Sequence, residues 1–385
     1  MRILILAISL SFYSLNLIAQ IDRGQSGNTQ DRQGQQSQSP ANLDSLLIGP
    51  QDTLSNDIFI YNLDHLSQAI YYNDSTLTDF EEYEISELDE TPMITLGNPG
   101  SATTSRFFEP DYNDGFNLGY NQHSIYKMEE KDIKFYKIAK PFTDLYFNPG
   151  ASQASFRAQA TMARDFADGV QFSLDYDRIN SESIYRNTEV RHTKMHLGLF
   201  QDIDSSRWSY ALNFISNSNY EDLNGGISDP SVLTTPGNMA RSSVTVAYDD
   251  VNTYQLSRDY SVRLYYHTIE KEKSQQYFQL KLNHDRGIYK FINEEIDAID
   301  TVLFGNQLVT SELGMRRHLN HNRSIGRFSY HIENSLLRSF YWVKYGLNAI
   351  EDGFGKEYIS EFVGGTENAF NWRGFNIDLD GYAGV

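Results

Sequence analysis

In the stretch Val170-Gln171-Phe172-Ser173-Leu174-Asp175-Tyr176-Asp177, every even position is apolar or aromatic and every odd one is polar. A period of two means a β-strand with one greasy and one wet face, because successive side chains leave a sheet on opposite sides. The pattern recurs downstream. His192, Lys194 and His196 share one face against Thr193, Met195, Leu197 and Leu199, and Trp208, Tyr210, Leu212 and Phe214 alternate with Ser209, Ala211 and Asn213. Similar segments lie at 260–266, 278–282, 328–332, 341–347 and 375–379. Residues 216–229 and 320–324, rich in Asn, Asp, Gly and Ser, are expected to supply turns. About a dozen strands are expected from residue 134 onward, with no helical period long enough to cover a sheet.

Two all-β architectures fit such strands. A sandwich buries its apolar face against a second sheet, whereas an outer-membrane barrel turns that face to lipid and keeps the polar one around a watery lumen. Here the apolar face is crowded with Tyr, Phe, Trp and Leu, and the other carries charges in mid-strand. The expectation is an antiparallel transmembrane β-barrel. Phe172, Leu174, Tyr176, Met195, Leu197, Leu199, Tyr210, Leu212 and Phe214 should face lipid. Gln171, Ser173, Asp175, Asp177, His192, Lys194, His196, Asn213, Lys281, Arg327, Lys344 and Asp378 should face the lumen.

Composition removes other classes. The 385 residues contain 32 Lys and Arg against 51 Asp and Glu, a net charge of −19, with no Cys. That excludes disulfides, thiolate metal sites and a catalytic thiol, and it argues against nucleic acid, whose binding needs a basic face. The N-terminus, basic at Arg2 and then apolar from Ile3 to Leu17, reads as a signal peptide ending at Ala19. Residues 20–50 hold too little apolar surface to order themselves and read as a tether. Residues 51–131 form an N-terminal region of short strands and Gly/Asn-rich turns, either a plug or a periplasmic lid, with an acidic run at 79–90. Residues 132–385 supply the barrel strands.

Candidate chemistry is sparse. On a strand His192 and His196 stand about 13 Å apart, too far for one zinc ion. His318 and His321 are expected in a turn without a carboxylate or thiol beside them, and Asp111-Tyr112-Asn113-Asp114-Gly115 lacks the order and closing Glu of a calcium loop. No catalytic motif, metal site or cofactor site is found. Asp175 and Asp177, on one face, suit either a cation-preferring constriction or a salt-bridge network with the next strand. Because the expected lumen charges nearly cancel, an acidic mouth should leave the path weakly cation-selective.

Several motifs in one order carry a resemblance. Residues 95–102 (TLGNPGSA), Phe107-Phe108, and Gly115-Phe116-Asn117-Leu118-Gly119 resemble the N-terminal signature of a β-barrel porin family of Bacteroidota outer membranes. Pro141-Phe142-Thr143-Asp144-Leu145-Tyr146, residues 175–185 (DYDRINSESIY) and Asn224-Gly225-Gly226-Ile227 are similar to its later segments, with Ser183 where that family usually has Gly. The resemblance implies an outer-membrane porin passing small solutes or ions without a cofactor. Its partners would be outer-membrane lipid, lipopolysaccharide and the solutes themselves, with homo-oligomerisation left open. The alternative is a plugged barrel serving ligand binding, transport or assembly. Family members are typically longer, so the C-terminal end of the barrel is expected to be missing.

Overall fold

The computed structural model describes residues 58–72, 93–107, 116–150, 155–166, 169–183, 185–202, 207–233, 241–271, 274–293, 315–334, 337–372 and 375–384. The expected signal peptide, the tether, the acidic run at 79–90 and residues 111–115 lie outside this set.

Five short strands come first: β1 (Ile58–Asn62), β2 (His65–Tyr72), β3 (Met93–Thr95), β4 (Thr103–Ser105) and β5 (Phe135–Ile138). They form a three-stranded sheet in the order β2-β1-β5 and a separate β3-β4 pair. Eleven strands then build one antiparallel sheet. They are β6 (Phe142–Pro149), β7 (Phe156–Asp165), β8 (Val170–Ser181), β9 (Val190–Asp202), β10 (Trp208–Asp222), β11 (Val251–Lys271), β12 (Ser274–Asn293), β13 (Met315–Asn334), β14 (Leu337–Glu351), β15 (Lys356–Trp372) and β16 (Phe375–Gly384). Each pairs with its sequence neighbours, so every connection is a hairpin. At β14–β15 the Asp352 carboxylate accepts the amides of Phe354 (2.8 Å) and Gly355 (3.0 Å), which folds the chain back with a local side-chain turn.

Three sequence expectations are corrected. Residues 135–138 pair with β1 rather than with the large sheet, so that sheet begins at Phe142 and not at 132. Phe135 is apolar and fully buried in the N-terminal packing, which a lipid-facing pattern cannot distinguish from a wall strand. Residues 320–324 are not a turn but the middle of β13, paired on both sides, so His318 and His321 also lie on a strand. Likewise residues 216–222 continue β10. Polar residues on both faces mimic turn composition wherever a strand runs beyond its apolar band.

That band is legible in the register. Trp208, Tyr266, Phe278, Tyr330 and Tyr341 lie directly opposite one another on five successive strands, with Trp208 and Tyr266 rings 5.0 Å apart and Phe278 and Tyr330 4.8 Å apart. The next rows on this face are Tyr210-Leu264-Leu280-Phe328-Val343 and Leu212-Val262-Leu282-Gly326-Tyr345. Beyond Phe214-Tyr260-His284-Ser324-Leu347 comes Ser216-Arg258-Arg286-Asn322, where the face turns polar. Leu282, Phe328 and Tyr345 are 50%, 49% and 50% exposed, while Arg263 on the opposite face is 0% exposed. This inverts the arrangement of a water-soluble protein and matches a wall with lipid outside.

The core lies on the inner face. Leu63, Ile133 and Phe135 from the N-terminal region pack with Tyr61 against Phe200, Ala211, Ile215, Tyr265 and Tyr277 of the sheet. Gly198 on β9 makes room for them: a Cβ there would stand 2.7 Å from the Phe135 ring.

Candidate functional site

The N-terminal region is held on the inner face by an ion cluster. Asp64 sits in the turn between β1 and β2, and Glu130 opens a 3-10 turn, Glu130–Asp132, closed at its start by the Asp132 carboxylate accepting the Glu129 amide at 2.8 Å. Arg263 Nη1 donates to Asp64 at 2.6 Å, and its Nε and Nη2 reach Glu130 at 2.9 and 2.7 Å. Lys281 on the next strand pairs with the same Glu130 carboxylate. Burial by itself would raise both acids. Arg263 and then Lys281 outweigh it, holding Asp64 at about 2 and Glu130 below its ordinary range. Beside the cluster the Tyr265 hydroxyl donates to the Leu63 carbonyl at 2.9 Å.

A second set of contacts extends the dock along β9 and β10. The Asn217 side chain accepts the Met128 amide at 2.8 Å and donates to the Met128 carbonyl at 3.0 Å, so one amide group replaces a neighbouring strand. The Tyr126 ring stacks on His192 at 4.9 Å while its hydroxyl accepts the Gly100 amide, and His192 Nε2 meets the Gly100 carbonyl. Gly100 has φ +85°, and a Cβ there would lie 2.8 Å from the His192 ring, so only glycine fits. Glu221 accepts the Ala102 amide at 3.0 Å and lies 2.8 Å from His123. Farther along the wall, the Phe116 amide donates to Glu361 at 2.7 Å and Tyr120 stacks on Tyr289 at 4.2 Å.

Between residues 116–130 and strands β10 to β13 a cavity of about 380 Å³ remains, lined by Tyr120, Lys127, Asp259, Asp285, Tyr289 and Arg323 among others. It is polar and sits where the outer face of the same strands has already turned hydrophilic.

Of the residues expected to line a lumen, those with described side chains lie on the inner face of the sheet, part of which the N-terminal region covers. Ser173, Asp177, His192, His196, Asn213 and Lys344 are buried, and Gln171, Asp175, Lys194, Lys281 and Arg327 are partly so. Gln171 accepts the Tyr61 hydroxyl. Asp175 accepts from Thr161 at 3.0 Å and pairs with His196 at 3.1 Å, and His196 reaches Asn213 at 3.3 Å. Asp177 joins Arg157 and Lys194, each at 3.2 Å, which is the cross-strand salt-bridge arrangement rather than an open acidic ring. Asp378 lies opposite Ala369 in the register, and its side chain is outside the described set. On the other face Leu199 and Leu212 are exposed, while Phe172, Leu174, Tyr176, Met195, Leu197, Tyr210 and Phe214 are partly exposed. Among the described residues no group of three His, Cys, Asp or Glu side chains could hold a metal ion.

The sequence reading did not single out Asp64, Glu130, Arg263, Asn217 or Glu221. Arg263 was within reach, since it alternates with Val262 and Leu264 on the wet side of its strand. Its partners, 133 and 199 residues away, carry no local signal.

A family model described as "Putative porin" matches residues 57–382. The chain belongs to this porin family. Among solved structures, this chain is similar to the ferric citrate transporter FecA in its unliganded form, at 7% identity and a TM-score of 0.36. The match covers 63% of this chain and 43% of the transporter chain. No match was found among curated proteins.

Proposed function

We propose that this porin forms an outer-membrane wall whose diffusion path is narrowed by its own N-terminal region. Small polar solutes then pass through what that region leaves open, including the cavity beside Tyr120 and Tyr289. The observation that carries the reading is the Arg263–Glu130–Lys281–Asp64 cluster, which fixes the region across the polar face. Lipid and lipopolysaccharide cover the apolar band, and the chain reaches the membrane through the secretory signal read at residues 1–19. Passive diffusion needs no catalytic group or cofactor.

The hairpin lengths support one orientation. The connections joining strands at the aromatic-row end, 166–169, 203–207, 272–273, 335–336 and 373–374, have at most five residues, whereas the other end has the short 150–155, 182–189 and 352–355 together with the long 223–250 and 294–314. Outer-membrane barrels keep short turns in the periplasm and longer loops outside. The cavity therefore belongs to the extracellular half.

The breadth of the dock favours a second reading, a plugged barrel that opens only when the N-terminal region moves. Single-channel recording of the full chain in planar bilayers, with and without Asp64→Asn/Glu130→Gln, separates the two. Open steps in the parent chain support diffusion around the docked region. A silent parent and a conducting variant support the plug, and silence in both removes the diffusion reading.

A further inference from the structure

Register places four cations in one line. Arg263, Lys281, Arg327 and Lys344 lie directly opposite one another on β11, β12, β13 and β14, on the inner face. The line spans about 14 Å. Like charges set directly opposite each other weaken a sheet, and a wall that needed only wetting would be served by Ser or Asn. The line therefore calls for anions. At its β11–β12 end it already holds them, since the Glu130 carboxylate is gripped by Arg263 and Lys281 together.

At Arg327, on β13, the chemistry differs. Among the described residues, the carboxylate beside Arg327 is Glu367, at 3.7 Å, beyond hydrogen-bond length. The Arg327 guanidinium lies over the Trp342 ring at 4.7 Å, and its Nε has no acceptor. The adjacent row of the sheet runs Gln279, Ser329, Trp342. Gln279 is 3% exposed and Trp342 6%. The Gln279 carbonyl oxygen is taken by Ser329 at 3.1 Å and His331 at 3.2 Å, which leaves its Nε2 without an acceptor, and Trp342 Nε1 has none either. Three N–H groups of neighbouring residues thus lack acceptors beside a line of cations. Buried donors are nearly always paired, and a cluster left unpaired on one patch fits a ligand made of acceptor oxygens.

We propose that Arg327, Gln279 and Trp342, with Lys281 alongside, form an oxyanion station on the inner wall that takes a small carboxylate or phosphate solute. Its role as a solute station rests on the porin reading above. Glu130 is the built-in counterpart one strand away, and it shows that this line accepts a carboxylate between two cations. A near-cancelling sum of wall charges hides this arrangement, because the cations share one row while Asp175 and Asp177 are engaged by His196, Arg157 and Lys194.

The test is equilibrium titration calorimetry on the full chain in detergent, with inorganic phosphate in one arm and acetate in the other. One saturable site is expected, and the arm that binds more tightly assigns the solute as phosphate-bearing or carboxylate-bearing. Arg327→Gln should weaken binding at least about tenfold, the scale of one charge-assisted contact. Trp342→Phe, which keeps the ring and removes one donor, should weaken it several-fold and carries the test if Arg327→Gln does not fold. Arg258→Gln, on the outer face, should change nothing. No saturable binding in either arm, or equal binding by the parent, Arg327→Gln and Trp342→Phe chains, overturns the proposal. Bilayer conductance reports separately on the porin reading: a conducting chain that binds neither anion loses only the station, and a silent chain that binds loses only the path.

Discussion

Glu130 Oε1 and Arg263 Nη2 meet at 2.7 Å across 133 residues of sequence, joining a 3-10 turn of the N-terminal region to the middle of a wall strand. The Arg263 side chain is almost wholly enclosed, so its charge depends on Glu130 and Asp64 for compensation. Removing one member of a buried ion pair strands the other.

Arg263→Ala should therefore loosen the dock by about 3 to 5 kcal/mol. Hydrogen exchange of peptides covering residues 124–135 should accelerate, while the strands on either side stay protected. Unchanged exchange in 124–135 would mean the packing of Phe135 and Leu63 holds the region unaided.

Acid should act on the same cluster in a fixed direction. Asp64 is held at about 2, from an ordinary 3.8, and Glu130 is lowered from 4.5. A depressed folded pKa contributes stability that is complete above the ordinary value and is lost as pH falls through the folded one. Docking should be insensitive to pH above about 5 and weaken progressively below about 4 toward 2. The Asp64 side chain keeps 41% exposure, so solvent screening trims its share. Pepsin cleavage within 124–135 that stays flat between pH 4 and pH 2 would contradict this.

Gly198→Ala probes the apolar half of the dock. The added methyl would meet Phe135 at 2.7 Å and Ser173 at 2.7 Å, both in a packed interior. Overpacking of this kind costs about 1 to 3 kcal/mol. The variant should still insert into membranes, with faster exchange at residues 133–138 and raised bilayer current noise. Loss of insertion would place the cost in the wall itself.

The outer face gives a separate check. Leu282→Arg puts a cation in the third row of the apolar band and should cost about 2 to 4 kcal/mol if that row sits at the bilayer midplane. Refolding titrations into lipid vesicles would measure it. A cost below about 1 kcal/mol would move Leu282 to the interface.

Much of the wall was legible because its rule is local. The alternation at 170–177 or 208–214 needs no knowledge of the partner strand, and it fixes which side chains share a face. Local reading failed where both faces are polar, as at 320–324, because composition there does not separate a strand from a turn. It failed again at Phe135, whose apolar neighbours match lipid-facing and plug-facing strands equally. The dock was invisible for a different reason: Asp64 and Glu130 are ordinary surface-type acids until the fold brings Arg263 to them. The line of four cations needed the register, since Lys281, Arg327 and Lys344 were each assigned to the wet face without a common height.

The strands outlast their apolar band. From the row of Phe214 and Tyr260, β10 and β11 run on together to Asp222 and Asn252, a further eight residues each, or about 27 Å of chain. With the usual barrel tilt that becomes a collar standing roughly 20 Å clear of the hydrocarbon. Such a collar holds the cavity beside Tyr120 and Tyr289 at the level of the polar rows, past the apolar band. In the orientation proposed above, a solute arriving from outside would meet a protein-walled antechamber before it came level with the apolar band.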